Sequence, residues 1–510
     1  MEEAFAWGLM TLECTDQTTF LNMESFWLPS ITGNFHLFFS FSSDFVNSLF
    51  FFRLGPLGFF TLGSQSGNQG MHDQIAAMKW VQKHISVFGG DPNNVTIMGE
   101  SAGAMSCMLH LVSPLSQGLF HKIMAFSGTA STPFLHQDRK PQHYGRAFAQ
   151  HLVRKKNQGK NLTDDELLKK LKELPVKTIV SHTALFKDWD VQNPLHWTPC
   201  LDPQEGSEAF MPIPFTQAVL EGKFNKNIPI LTGCTTEEGL VFSSQFHRYP
   251  RRWRMLFNNF TFWAPHLLFN RETELINTED KKKSVTIKDK FFPMDSPDQV
   301  PPMHEGTHRT MEQLFATAVF QAPMVKDTKL LVDKGAKVFV YDFAYHGSMT
   351  LNEVFRLSIG KLFINFFGRH VGAKLYQNDL GVGHGDDLFY YFHCSPPGMP
   401  KSLKNSDDKQ MSKVFMNFLT AFAEKGDPGS QNNIEWKSLE ANQEFQTMKL
   451  DKNLSYGPLP ASKSKRIQFW LDEVDPNPLG SAWNDESVQK IHNVIAERRS
   501  SILDSQHLFA

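Results

Sequence analysis

The chain has 510 residues, 41% hydrophobic and 20% charged, with 33 glycines and 28 prolines. That is a globular composition, long enough to bury a large core, and it excludes wholesale disorder, a collagen-like repeat and a disulfide-dense miniprotein. Charge is nearly balanced, 51 basic residues against 53 acidic, so there is no cationic surplus to neutralise phosphates and no nucleic-acid partner is expected.

The first 60 residues hold 13 phenylalanines and only seven charged residues, of which Arg53 alone is positive. The opening Met1-Glu2-Glu3 has the wrong sign for the start of a secretory leader. The charge-free stretch 25–43 carries Pro29, Asn34, His36 and several serines, which excludes a transmembrane span there. The five cysteines, Cys14, Cys107, Cys200, Cys234 and Cys394, show no C-x-x-C spacing, so neither a zinc site nor a disulfide framework is expected.

From about residue 69 the pattern becomes regular. Gln69 to Val87 puts Ile75, Met78, Val81 and Ile85 on one helical face, and Gly89-Gly90 stops it. Asp91-Pro92-Asn93 reads as a turn and Val95–Met98 as a short strand, followed by a helix over 102–112. Further strands are expected at Lys122–Phe126, Ile228–Thr232 and Lys337–Tyr345. Residues 154–175 are Lys-rich and helical in pattern, with Thr163 and Glu166 spaced as a capping box. Residues 271–300 read as a charged, loop-like excursion. The segment 408–424 is amphipathic, with Met411, Val414, Phe415, Phe418, Leu419 and Phe422 on its buried side. After Trp470 the chain turns polar, with a last helical pattern at 487–503. Short apolar strands alternating with helices predict an α/β fold, a mostly parallel sheet covered on both faces.

Gly99-Glu100-Ser101-Ala102-Gly103 fits G-x-S-x-G, with a strand running straight in and a helix straight out. That setting lifts a serine above the sheet edge on a sharp turn and makes Ser101 a candidate nucleophile. Such a serine needs a base, and the base an orienting acid, in the chain order Ser, acid, His. His384 stands on the glycine-rich stretch Gly381-Val382-Gly383-His384-Gly385, from which a side chain can reach across a site. Thr235-Thr236-Glu237-Glu238-Gly239 follows an expected strand, and on chemistry alone Glu237 and Glu238 are equal candidates for the acid.

The stretch GNQGMHDQIAAMKWVQKHISVFGGDPNNVTIMGESAG resembles the type-B carboxylesterase and cholinesterase family of α/β-hydrolases. RLGPLGFF at 53–60, FSG at 126–128, WTPCLDP at 197–203, TTEEG at 235–239, GVGHGDDLFYYF at 381–392 and Phe469-Trp470 extend the likeness over about 53–471. The resemblance implies an α/β-hydrolase fold and carboxylic ester hydrolysis through an acyl-enzyme. Ser101 would be the nucleophile, His384 the base and Glu238 the acid. The N–H of Ala102 would be an oxyanion donor, and Glu100, Ser127 and Asp387 would form a buried shell beneath. It implies a small-molecule ester as partner, no metal or organic cofactor, and a secreted or lumenal location, for which this N-terminus shows no leader.

The family's glycine-rich oxyanion loop of the HGGG type has no counterpart before residue 53, where Gly8 and Gly33 stand apart. The family's early strands are likewise unmatched. The expected organisation is therefore a divergent Phe-rich segment at 1–52, an esterase-type domain at 53–471, and a polar tail at 472–510. An absent or replaced first part of the sheet predicts an open edge and poor solubility. The competing expectation, from another class, is a catalytically inactive esterase-like binding or adhesion domain; the missing oxyanion loop favours it and the filled triad positions oppose it.

Overall fold

The computed structural model of the chain describes residues 4–15, 18–29, 48–63, 67–135, 142–157, 162–183, 197–202, 208–248, 250–271, 276–296, 299–350, 381–392, 403 and 405–476. Its strands are β1 Ala4–Thr15, β2 Thr18–Pro29, β3 Ser48–Phe51, β4 Val95–Glu100, β5 Lys122–Phe126 and β6 Ile230–Thr235. They continue with β7 Val338–Phe343, β8 Ser430–Gln431, β9 Ile434–Glu435, β10 Gln446–Leu450 and β11 Ser455–Pro458. Nine of them form one sheet in the order β11-β10-β7-β6-β5-β4-β2-β1-β3, while β8 and β9 pair separately. The six from β2 to β10 in that order run parallel, and β1, β3 and β11 are antiparallel to their neighbours.

The parallel strands alternate so that each face has its own layer. Ile97, Ile123, Ile230 and Val338 lie level across β4, β5, β6 and β7 and join one core. Their successors Met98, Met124, Leu231 and Phe339 join the other. A period of two buried on both faces is what a doubly covered sheet requires. The first core takes Met78 and Val81 from the helix Gln69–His84. The second takes Met411, Val414, Phe415, Phe418, Leu419 and Phe422 from Ser406–Lys425, the six residues expected on its buried side.

Boundaries depart from the sequence reading where small residues decide them. The first long helix ends at His84 and tightens into a 3₁₀ turn over Ile85–Phe88, closed by Gly89 in the left-handed region at φ 84°. β6 starts at Ile230 rather than 228 and runs on to Thr235 through Gly233, where a Cβ would lie 2.4 Å from the Tyr341 ring. The capping box of Thr163 and Glu166 is present at the start of Asp164–Lys172. The excursion expected at 271–300 is instead largely the helix Thr278–Phe291, opened by a capping box of Asn277 and Asp280. Its charged surface hid an inward side made of Asp280, Ser284, Ile287 and Lys288.

The edge of β4 expected to lie open is paired: β2 runs along it in parallel from Thr19–Val95 to Glu24–Glu100, and β1 completes a hairpin outside β2. The residues before Arg53 thus supply strands to this side of the sheet. The helical pattern at 487–503 lies outside the described residues. Cys107, Cys200 and Cys234 are buried. Among the described residues no helix is long and apolar enough to cross a membrane.

Candidate active site

The parallel strands end on one side of the sheet, where α/β folds collect their ligands. β4 ends at Glu100, directly before Ser101; β5 ends before Ser127; β6 ends three residues before Glu238. Ser101 sits at φ 56° and ψ −120°, outside the usual regions for a side-chain-bearing residue, and heads the helix Ala102–Val112. The turn is held from below by the Ser101 N–H, which donates to Phe126 O at 2.9 Å. The flanking glycines follow from contact. A Cβ on Gly99 would lie 2.3 Å from the Gly103 carbonyl carbon, and one on Gly128 would lie 2.3 Å from Ser101 O. G-x-S-x-G and the FSG at 126–128 therefore describe one close crossing of backbones.

Ser101 Oγ lies 2.9 Å from His384 Nε2, and His384 Nδ1 lies 2.6 Å from Glu238 Oε2. With a carboxylate facing it, Nδ1 carries the proton in the neutral ring, which leaves Nε2 to accept from the serine. The other oxygen of Glu238 accepts from Ser127 Oγ at 2.5 Å and from the Thr235 N–H at 2.7 Å. Glu238 is fully buried. Burial alone would raise its pKa, but the charge on His384 and these hydrogen bonds outweigh it and hold the carboxyl below its ordinary range.

Of the two glutamates that chemistry left equal, Glu238 faces the histidine. Glu237 turns to the His384-bearing loop instead: Val382 N–H donates to its Oε2 at 2.7 Å. Glu100 Oε1 lies 3.2 Å from His384 Nε2, on the same nitrogen that faces Ser101. Burial works against a charged imidazole, yet Glu100, Glu238 and Asp387 outweigh it and push the His384 pKa up to about 9. Asp387 touches none of the three directly. It is fully buried, accepts from Tyr341 OH at 2.7 Å, and burial lifts its carboxyl to about 7. Glu100 and Ser127 thus contact the hydrogen-bonded chain, whereas Asp387 stands one step away. The N–H of Ala102 opens its helix, among the donors a helix leaves unpaired at its start. Residues 30–47, which follow β2, lie outside the described residues.

Two neighbours had no signal in the sequence. Phe320, on the π-helical turn Ala316–Gln321, places its ring 4.7 Å from that of His384. Tyr341 comes from the middle of β7 and reads there as core. Other motif residues serve assembly. Arg53 grips Asp73 through Nε at 2.8 Å and a terminal nitrogen at 2.6 Å. Asn68 both donates to and accepts from the Cys200 backbone, at 2.8 and 3.1 Å.

The profile of the Carboxylesterase family matches residues 43–470. Esterase E4 of Myzus persicae is 29% identical over 412 residues, which is 79% of this chain and 66% of that protein. Juvenile hormone esterase of Tribolium castaneum is 29% identical over 406 residues, 78% of this chain and 64% of its own length. Carboxylesterase 1E of Rattus norvegicus is 25% identical over 445 residues, 84% and 69% respectively. The chain thus spans about two thirds of the length of these relatives. With a match over most of its residues and a mostly parallel sheet flanked by helices, the chain belongs to the carboxylesterase family.

Proposed function

We propose that the chain hydrolyses carboxylic esters of small molecules, with residues 53–471 as the catalytic domain. The observation that carries this reading is the unbroken series Ser101 Oγ, His384 Nε2, His384 Nδ1 and Glu238 Oε2, at 2.9 and 2.6 Å. Ser101 attacks the ester carbonyl while its proton passes to His384 Nε2. Glu238 holds the ring and stabilises the imidazolium that forms. The Ala102 N–H donates to the developing oxyanion. His384 returns the proton to the departing alcohol, and water repeats the sequence on the acyl-enzyme. The names of the relatives, all esterases, support the reaction class.

A fluorophosphonate probe tests the proposal, since it reports on an activated serine and not on any one ester. The expected result is a stoichiometric adduct on Ser101, read by mass spectrometry, that is absent from Ser101→Ala. A folded wild-type chain that takes no adduct would overturn the reading and favour a binding domain.

A further inference from the structure

We infer that Glu237 is a positioning residue, the strut that sets the distance between Glu238 and His384; the inference rests on the function proposed above. Both ends of this strut lie next to the chemistry they serve: Glu237 immediately precedes Glu238, and one residue, Gly383, separates Val382 from His384. The Glu237 N–H donates to Val382 O at 2.9 Å, and Glu237 pairs with Gly383 in an isolated parallel bridge. Its side chain then returns to the same residue, with Oε2 accepting the Val382 N–H at 2.7 Å. Both backbone polar groups of Val382 are therefore satisfied by Glu237. The carboxylate is steadied in turn by the Thr236 hydroxyl.

The histidine loop is shaped to receive this carboxylate. Gly381 sits at φ +82°, and a Cβ there would lie 2.5 Å from Glu237 Cδ and Oε2. A glycine at 381 is needed for its conformation and for the space the glutamate occupies. On the far side of Glu238, the Gly239 N–H donates to Glu312 Oε1 at 3.2 Å, and a Cβ on Gly239 would lie 1.9 Å from Glu312 O. The acid loop is thus seated on the helix Glu305–Phe315 at one end and tied to the histidine loop at the other. Among the described residues, the hydrogen bonds of Glu237 to Val382 and its bridge to Gly383 join the acid loop to the histidine loop, and so bear on the 2.6 Å contact between Glu238 and His384. Misplacement by about 1 Å at such a contact costs about a hundredfold in rate.

The test uses the full chain with Glu237→Gln, Glu237→Asp and Glu237→Ala. It reads the phosphonylation rate of Ser101, kcat and KM on a p-nitrophenyl ester, the pH dependence of kcat/KM, and the melting temperature. Gln keeps the reach and an acceptor for the Val382 N–H and stays within about threefold of wild type, whereas Asp and Ala lose about 10- to 100-fold in kcat and phosphonylation with KM little changed. In Asp and Ala the rising limb of the pH profile also moves down, because a loosened Glu238 no longer supports the imidazolium. A fold-only role would leave that limb in place. Folded Asp and Ala variants with wild-type phosphonylation and an unmoved limb would overturn the inference while leaving the esterase reading intact. A Gln variant as slow as Ala would overturn it too, by making charge rather than reach the requirement. If Ala does not fold, the contrast of Asp with Gln decides. A folded wild type that takes no adduct overturns both readings at once.

Discussion

His384 Nε2 faces two oxygens, Ser101 Oγ at 2.9 Å and Glu100 Oε1 at 3.2 Å. The second carries a cost and a benefit. A carboxylate beside the ring favours the imidazolium, which helps the transition state but ties up the base beforehand. With a pKa pushed to about 9, the ring must lose a proton before it can accept one, so kcat/KM rises with pH through that region. Glu100→Gln removes one of the three carboxylates that raise the histidine's pKa, the one facing Nε2. The expected outcome is a rising limb displaced to lower pH and a plateau about tenfold lower, the equivalent of losing about 1.4 kcal/mol of transition-state stabilisation. A pH series of kcat/KM for the two proteins checks it, and an unmoved limb would refute the role of Glu100. Stability runs the other way. Because the cation is favoured in the folded chain, its contribution is full below about 6.5 and is lost as pH climbs to about 9. Ser101 and His384 were nominated as candidates by their glycine-rich settings, the serine also by the strand and helix on either side of it. The acid was not singled out by residue chemistry, because neighbouring loop residues such as Glu237 and Glu238 differ only in which way the backbone turns them.

What periodicity reveals about an element depends on how much of its surface is apolar. Ser406–Lys425 shows six large apolar residues at helical spacing, and its buried side was legible in full. Thr278–Phe291 was not, because its inward residues Asp280, Ser284 and Lys288 are polar and leave Ile287 as the one aliphatic signal among its buried residues. Its start was written in the chain nonetheless. Asn277 accepts from the Asp280 N–H at 2.9 Å, and Asp280 accepts from the Asn277 N–H at 3.1 Å. The capping box carried information that the charged composition of 271–300 masked. Asn277→Ala is expected to cost about 1 kcal/mol, typical of a lost N-cap, with kcat/KM unchanged because the helix lies away from the hydrogen-bonded chain. Urea unfolding of variant and parent measures it. A change below about 0.3 kcal/mol would mean that packing, and not the cap, defines this end.

At the scale of the molecule, the sheet is where distant parts of the sequence are made to depend on one another. The parallel middle of it, β4 through β7, was foreseeable from short apolar runs, because strands buried on both faces are apolar throughout. The hairpin of β1 and β2 was not, because Phe-rich composition without a turn signal specifies neither register nor partner. That hairpin closes the edge of β4 on one side. On the other side the helix Ala461–Phe469 is tied to β7 by Lys463, whose ammonium lies 2.5 Å from Asp342 Oδ1. Both side chains are almost wholly buried, at 8% and 3% exposure. A pair so placed gains little over an apolar pair, but one partner left alone is an uncompensated buried charge. Lys463→Met is therefore expected to lower stability by about 3–5 kcal/mol, while Lys463→Met combined with Asp342→Leu recovers most of that loss. The exposed pair of Lys337 and Asp427, 48% and 47% exposed, serves as the control, and its removal should cost under about 1 kcal/mol. Equilibrium unfolding of the two singles, the double and the control decides. A double variant no more stable than the Lys463 single would show that the ion pair itself, and not the stranded carboxylate, holds this helix to the sheet.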